Sequence, residues 1–176
     1  AEDFFPTTDR DKVENNIAVI KLVMKLTENR QQATPEQQAK LATYVGWGGL
    51  ANEFFDEYND KYSEQRKELK SLISDKEYRS MRASSLTAYY TNPAVARAMW
   101  QKVLDDGLTH GNVLDPSMGT GIFPMTMPKE LRNSVDFWGI EIDEITGLIA
   151  KQLFPEFHIL IKGFQDVKFI NPQFDL

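Results

Sequence analysis

At 176 residues, 41% of them apolar, the chain is long enough for one domain plus an appendage, since single cores take roughly 100 to 200 residues. It has no cysteine and two histidines, His110 and His158, which excludes disulfides, thiol nucleophiles and zinc sites built from Cys and His. A formal charge of -6 argues against a self-sufficient nucleic-acid binder, because phosphate binding is driven by Lys and Arg. No apolar run approaches the roughly 20 residues of a membrane span, and AEDFFPTTDR lacks the basic start and apolar stretch of a signal peptide. The chain reads as cytoplasmic, with no membrane partner.

The first half is helical and charged. DKVENNIAVIKLVMKLT, residues 11–27, places Val13, Ile17, Ile20, Val23 or Met24, and Leu26 on one helix face by their spacing of three and four. Thr34-Pro35-Glu36-Gln37 is a capping signature, with Pro at the first helical position, and predicts a helix to about Tyr44. In YVGWGGL, residues 44–50, the glycines predict positive φ or close backbone approach, and Trp47 reads as a packing plug between helices or, less favoured, as a ligand or base platform. Residues 65–82 hold six cations (Arg66, Lys67, Lys70, Lys76, Arg79, Arg82) and three acids, which read as a solvated face of mixed charge. Ser74 and Glu77 form a second capping box ahead of EYRSMRASSL.

The period then changes. NVLDPSM (112–118), DFWGIEID (136–143) and FHILIKGF (157–164) read as strands, alternating with the helical PAVARAMWQKVLDDG and EITGLIAKQLF. Such alternation predicts an α/β fold with a parallel sheet covered by helices. Residues 1–87 form an N-terminal helical region and residues 88–176 the α/β part.

VLDPSMGTGIF carries the chemistry. A strand ends at Asp115, and Pro116 and Gly119-Thr120-Gly121 follow, where the backbone can approach a ligand beyond the strand's carboxyl end. A dinucleotide fingerprint needs a third small residue where Pro124 stands, and a P-loop needs a Lys-Ser or Lys-Thr pair that is missing. Asp115 would repel a pyrophosphate, but it suits a ligand with a cationic end, such as S-adenosylmethionine. Glu141, 26 residues on, stands at the next strand tip, where a carboxylate can accept both ribose hydroxyls. Ile142 would lie against the adenine. In GFQD, Asp166 could accept from the adenine amino group with Phe164 beside the ring, or be an ordinary turn carboxylate.

These residues resemble a known family. DPSMGTG resembles motif I of the N6-adenine DNA methyltransferases, AYYTNP (88–93) their YTP motif, GIEID motif II and GFQD motif III. YVGWGGL, EYRSMRASSLTAYYTNP and VLDPSMGTGIF are also similar to the methylase-like region of large helicase-methylase proteins of plasmids, phages and conjugative elements. The resemblance implies a Rossmann-like S-adenosylmethionine-dependent methyltransferase sheet, with DNA as partner through the full-length protein and an SNF2-type helicase domain in the same polypeptide. It implies cofactor contacts at Tyr90, Thr91, Asp115, Pro116, Gly119, Gly121, Glu141, Ile142, Phe164 and Asp166. Asn92, between Thr91 and Pro93, departs from the YTP pattern.

The ending FINPQFDL contains Asn171-Pro172-Gln173-Phe174, one letter from the NPPF with which that family grips the target amine. Asn171 stands five residues after Asp166 and ahead of Phe174-Asp175-Leu176, on the wrong side of the fourth strand, so it reads as a turn. FDL reads as the start of that strand, and the catalytic tetrapeptide is expected beyond Leu176, in a longer parent chain. This fragment would then bind cofactor without catalysing transfer. Two other readings are a non-catalytic interaction module of a DNA-processing or antirestriction complex and, less favoured, a protein-glutamine methyltransferase.

Overall fold

The computed structural model describes residues 5–85, 91–169 and 174–176. Tyr90, with the rest of Ala88–Tyr90, and Asn171–Gln173 lie outside the described residues. Among the described residues the architecture is α/β: six α-helices, then a small parallel sheet interleaved with three more.

Helix α1, Asp9–Glu28, is capped by Thr8 and buries Val13, Ile17, Ile20, Val23 and Leu26, the stripe expected from the spacing, together with Val19 and Asn16. The Thr34 box opens α2, Pro35–Leu41. This helix stops three residues short of Tyr44. Past Leu41 the amides of Thr43 and Tyr44 close tighter turns on Lys40 and Leu41, Asn15 of α1 donates to the Thr43 carbonyl at 2.8 Å, and Gly46 turns the chain with φ of 65°.

After short α3, Ala51–Phe54, come α4, Ser63–Leu72, and α5, Asp75–Ser85. Ser74 and Glu77 make the reciprocal bonds expected at the start of α5. Trp47 is 1% exposed, stacks on Phe54 at 4.0 Å between centroids and donates its indole N–H to Met81 Sδ. It is therefore a packing plug, at the centre of a core built from α1 to α5.

Helix α6, Pro93–Asp105, begins on Asn92, whose side chain accepts from Ala94 N at 2.8 Å. The extra residue in YTNP is thus a helix cap. Strands β1 (Gly111–Asp115), β2 (Val135–Glu141) and β3 (His158–Ile161) pair in parallel in that order. They end earlier than the predicted runs, β1 at Pro116, which has no N–H to offer a neighbour. Short α7 (Ile122–Thr126) and α8 (Lys129–Arg132) connect β1 to β2, and α9 (Glu144–Leu153) connects β2 to β3. On the other edge of β1, Asp175 N donates to Asn112 O and Leu114 N to Leu176 O. Phe174-Asp175-Leu176, expected to start a fourth strand, thus hydrogen-bonds along β1.

Helix α9 joins the two halves. Ile145 and Ile149 belong to the helical core, while Ala150, and Phe154 just beyond the helix, pack with Val113, Phe137 and Ile159 of the sheet. Gln152 adds polar stitches: its Oε1 accepts from Ala33 N, and its Nε2 donates to Gln31 O. No described helix is long and apolar enough to cross a membrane.

Candidate ligand site at the strand tips

At the carboxyl ends of β1 and β2 lies a cavity of about 520 Å³. Gly119, Thr120, Glu141, Ile142 and Asp143 line it from the sheet, Thr91 and Pro93 from the start of α6, and Ala42 to Trp47 (Thr43 excepted) from the helical half.

The sheet side is held by backbone. Past Asp115 the chain turns over the end of β2, with Met118 N donating to Ile140 O at 2.9 Å. Glu141 then clamps the turn: its Oε2 accepts from Gly119 N at 2.9 Å, and its Oε1 from Asp143 N at 2.8 Å. Gly121 has φ of 92°, and a Cβ there would sit 2.4 Å from Phe154 Cε2. Only glycine meets both conditions. Asp143 caps α9, its Oδ2 accepting from the Thr146 amide at 2.9 Å and the Thr146 hydroxyl at 2.5 Å.

Two carboxylate oxygens are left over. Asp115 Oδ1 accepts from Ser117 N, but its Oδ2 is buried without a hydrogen-bond partner, as is Oδ1 of Asp143. Burial pushes the carboxyl groups of Asp115, Glu141 and Asp143 above the ordinary carboxylate range, partly offset by the bonds they accept. Among the described residues no Lys or Arg pairs with any of the three. Nor do three or more His, Cys, Asp or Glu side chains converge there as a metal site would require. Uncompensated buried carboxylates are costly.

The residues expected at the site fall into three groups. Thr91, Gly119, Glu141 and Ile142 line the cavity. Asp115 and Pro116 line a smaller, mostly apolar pocket of about 190 Å³ beneath α6, shared with Met99, Trp100 and Leu176, and Gly121 supports the turn from below. Phe164 and Asp166 occupy a short turn after β3, with Phe164 52% exposed and Asp166 accepting from Gln165 Nε2. Neither lines the cavity. Asp143 and the segment from Ala42 to Trp47 were not among the expected contacts, although the glycines of YVGWGGL signalled a special backbone.

The basic stretch 65–82 divides. Arg66 is buried and donates to the carbonyls of Phe54 and Asn59, Lys67 and Lys70 pair with Glu64 and Glu57, and Lys76, Arg79 and Arg82 remain exposed.

The chain is similar to the "Defense against restriction protein B" of Escherichia phage P1, 27% identical over 164 residues. The match takes in 93% of this chain but only 6% of that protein's length, so the chain spans a small part of the relative it matches. No protein-family model matches the chain, and no solved structure matches it.

Proposed function

We propose that the strand-tip cavity binds S-adenosyl-L-methionine, and that residues 88–176 are the first part of a Rossmann-like methyltransferase domain of the N6-adenine DNA class, following a helical region at 1–87. The observation that carries this reading is the set of carboxylates past the ends of β1 and β2, with Glu141 and Asp143 buried in the cavity wall and Asp115 in the adjoining pocket with one oxygen unmet, none paired with a Lys or Arg among the described residues. A pyrophosphate would add charge of the same sign. A ligand with a sulfonium and an ammonium supplies the missing one, and its ribose hydroxyls can donate to the lone pairs left on Glu141. In this reading Asp115, Pro116, Gly119 and Gly121 shape the methionine end, with Thr91 near its carboxylate. Ile142, on the cavity wall, serves the adenine, and Phe164 and Asp166, which lie off the cavity, have no part in it.

When bound, the cofactor supplies an electrophilic methyl group. What this chain does is bind and orient: backbone N–H groups fixed on Glu141 hold the turn, and the carboxylates neutralise the cationic end. The residues that would align a target amine lie beyond Leu176 in a longer parent, which would also supply the helicase domain and most of the grip on DNA.

Thermal shift with a ligand panel tests the reading. S-adenosylmethionine should raise the melting temperature, and NAD and ATP should not; a larger shift with either anionic ligand overturns it.

A second reading is favoured by one finding, the likeness to a protein named for defence against restriction. Here the same unit is a non-catalytic module in a DNA-processing complex. Incubating the longer parent with labelled S-adenosylmethionine and adenine-containing DNA separates the two. Transfer of label supports catalysis, and retained cofactor binding without transfer supports the module.

A further inference from the structure

The helical half has an unexplained buried amide. Asn16 is 0% exposed, between Val13 and Ile20 on the face of α1 that builds the core. If helix packing were its only task, an apolar side chain would serve better, because a buried amide must find partners for both its ends. Both partners lie in one place: Asn16 Nδ2 donates to Gly46 O at 2.6 Å, and Val45 N donates to Asn16 Oδ1 at 3.2 Å. The neighbouring Asn15 holds Thr43 O. The segment between α2 and the Gly48–Leu50 turn, which has no regular structure of its own, is thus pinned to α1 by side chains. That same segment lines the cavity, through Ala42, Tyr44, Val45, Gly46 and Trp47.

We infer that this segment is a ligand-contacting wall of the strand-tip cavity and that Asn16 is its positioning residue. The wall carries no charged side chain, so it closes on the uncharged part of the ligand while the strand-tip carboxylates take the cationic end. The helical region is then part of the binding site rather than a scaffold beside it. The inference rests on the reading of the cavity as an S-adenosylmethionine site, and its test separates the two.

The dissociation constant for S-adenosylmethionine is measured by calorimetry on the whole chain and on Asn16→Ala, Val13→Ala and Val45→Phe. Val13 is 0% exposed on the same helix, so its variant controls for lost stability alone. Val45 is only partly buried, so Val45→Phe alters the wall with little threat to folding. Asn16→Ala and Val45→Phe should each weaken binding about tenfold, while Val13→Ala changes it less than about twofold. Val45→Phe binding as tightly as the parent, or Asn16→Ala no weaker than Val13→Ala, overturns the inference and leaves the cofactor reading standing. No binding by the parent chain overturns the cofactor reading itself, and this inference with it.

Discussion

The helical half and the strand tips treat buried polar groups in opposite ways. In the helical half Asn16 and Arg66, both buried, have their polar ends met by backbone carbonyls or N–H groups, and the buried atoms left without partners are the neutral hydroxyls of Tyr62 and Tyr78. At the strand tips the leftover atoms are carboxylate oxygens of Asp115 and Asp143. One region meets its buried amide and guanidinium from its own backbone, and the other leaves carboxylate oxygens unmet. Such a deficit marks where function has been placed at the expense of stability.

Substitutions that disturb packing should cost most. Phe54 is 0% exposed and stacks on Trp47, and Phe54→Ala is expected to lower stability by about 3–5 kcal/mol in urea unfolding. Gly121→Ala forces a side chain into a left-handed φ and against Phe154, at a cost of about 2–4 kcal/mol. It should also shift the turn that carries Gly119, so cofactor affinity falls with it. Removing the cap of α2 by Thr34→Ala should cost about 1 kcal/mol with no change in affinity, since the Thr34 hydroxyl accepts from Gln37 N of its own helix.

The smallest effect on stability should come from a position on the cavity wall. Asn caps helices as well as Asp, so Asp143→Asn keeps α9 capped while removing a buried charge; a change within about 1 kcal/mol is expected, in the stabilising direction near neutral pH. Its signature is a pH dependence. A carboxyl group whose folded pKa is raised destabilises the fold only once ionised. The stability it contributes is full below the unfolded value near pH ~4, and is lost as pH rises through the folded value. The parent should therefore lose stability relative to Asp143→Asn as pH is raised from that value to neutrality. A constant difference across that range would remove the contrast between the two regions.

Much of this was legible in local sequence. The capping boxes at Thr34 and Ser74, the stripe of α1, the three strands and the acidic tips at Asp115 and Glu141 each rest on residues within a few positions of one another, where spacing carries the physics. What was hidden depends on partners far along the chain. Asn16 looks like an interruption of an apolar stripe until Val45 and Gly46, 29 and 30 residues away, are brought to it. Arg66 reads as surface charge until the carbonyls of Phe54 and Asn59 close on it. Asp143 draws no notice at the end of GIEID, because nothing there tells that one of its oxygens will be buried without a partner. The two-faced packing of α9 escaped for the same reason, as its Ile145 and Ile149 face helices more than 60 residues earlier in the chain.

The claim at the centre, that the strand-tip carboxylates await a cationic adenosyl ligand, is tested most directly by calorimetric titration of S-adenosylmethionine into the parent chain and into Asp115→Ala. Micromolar-range binding in the parent and its loss in the variant is the expected result. Equal binding in both, or none in the parent, would contradict it.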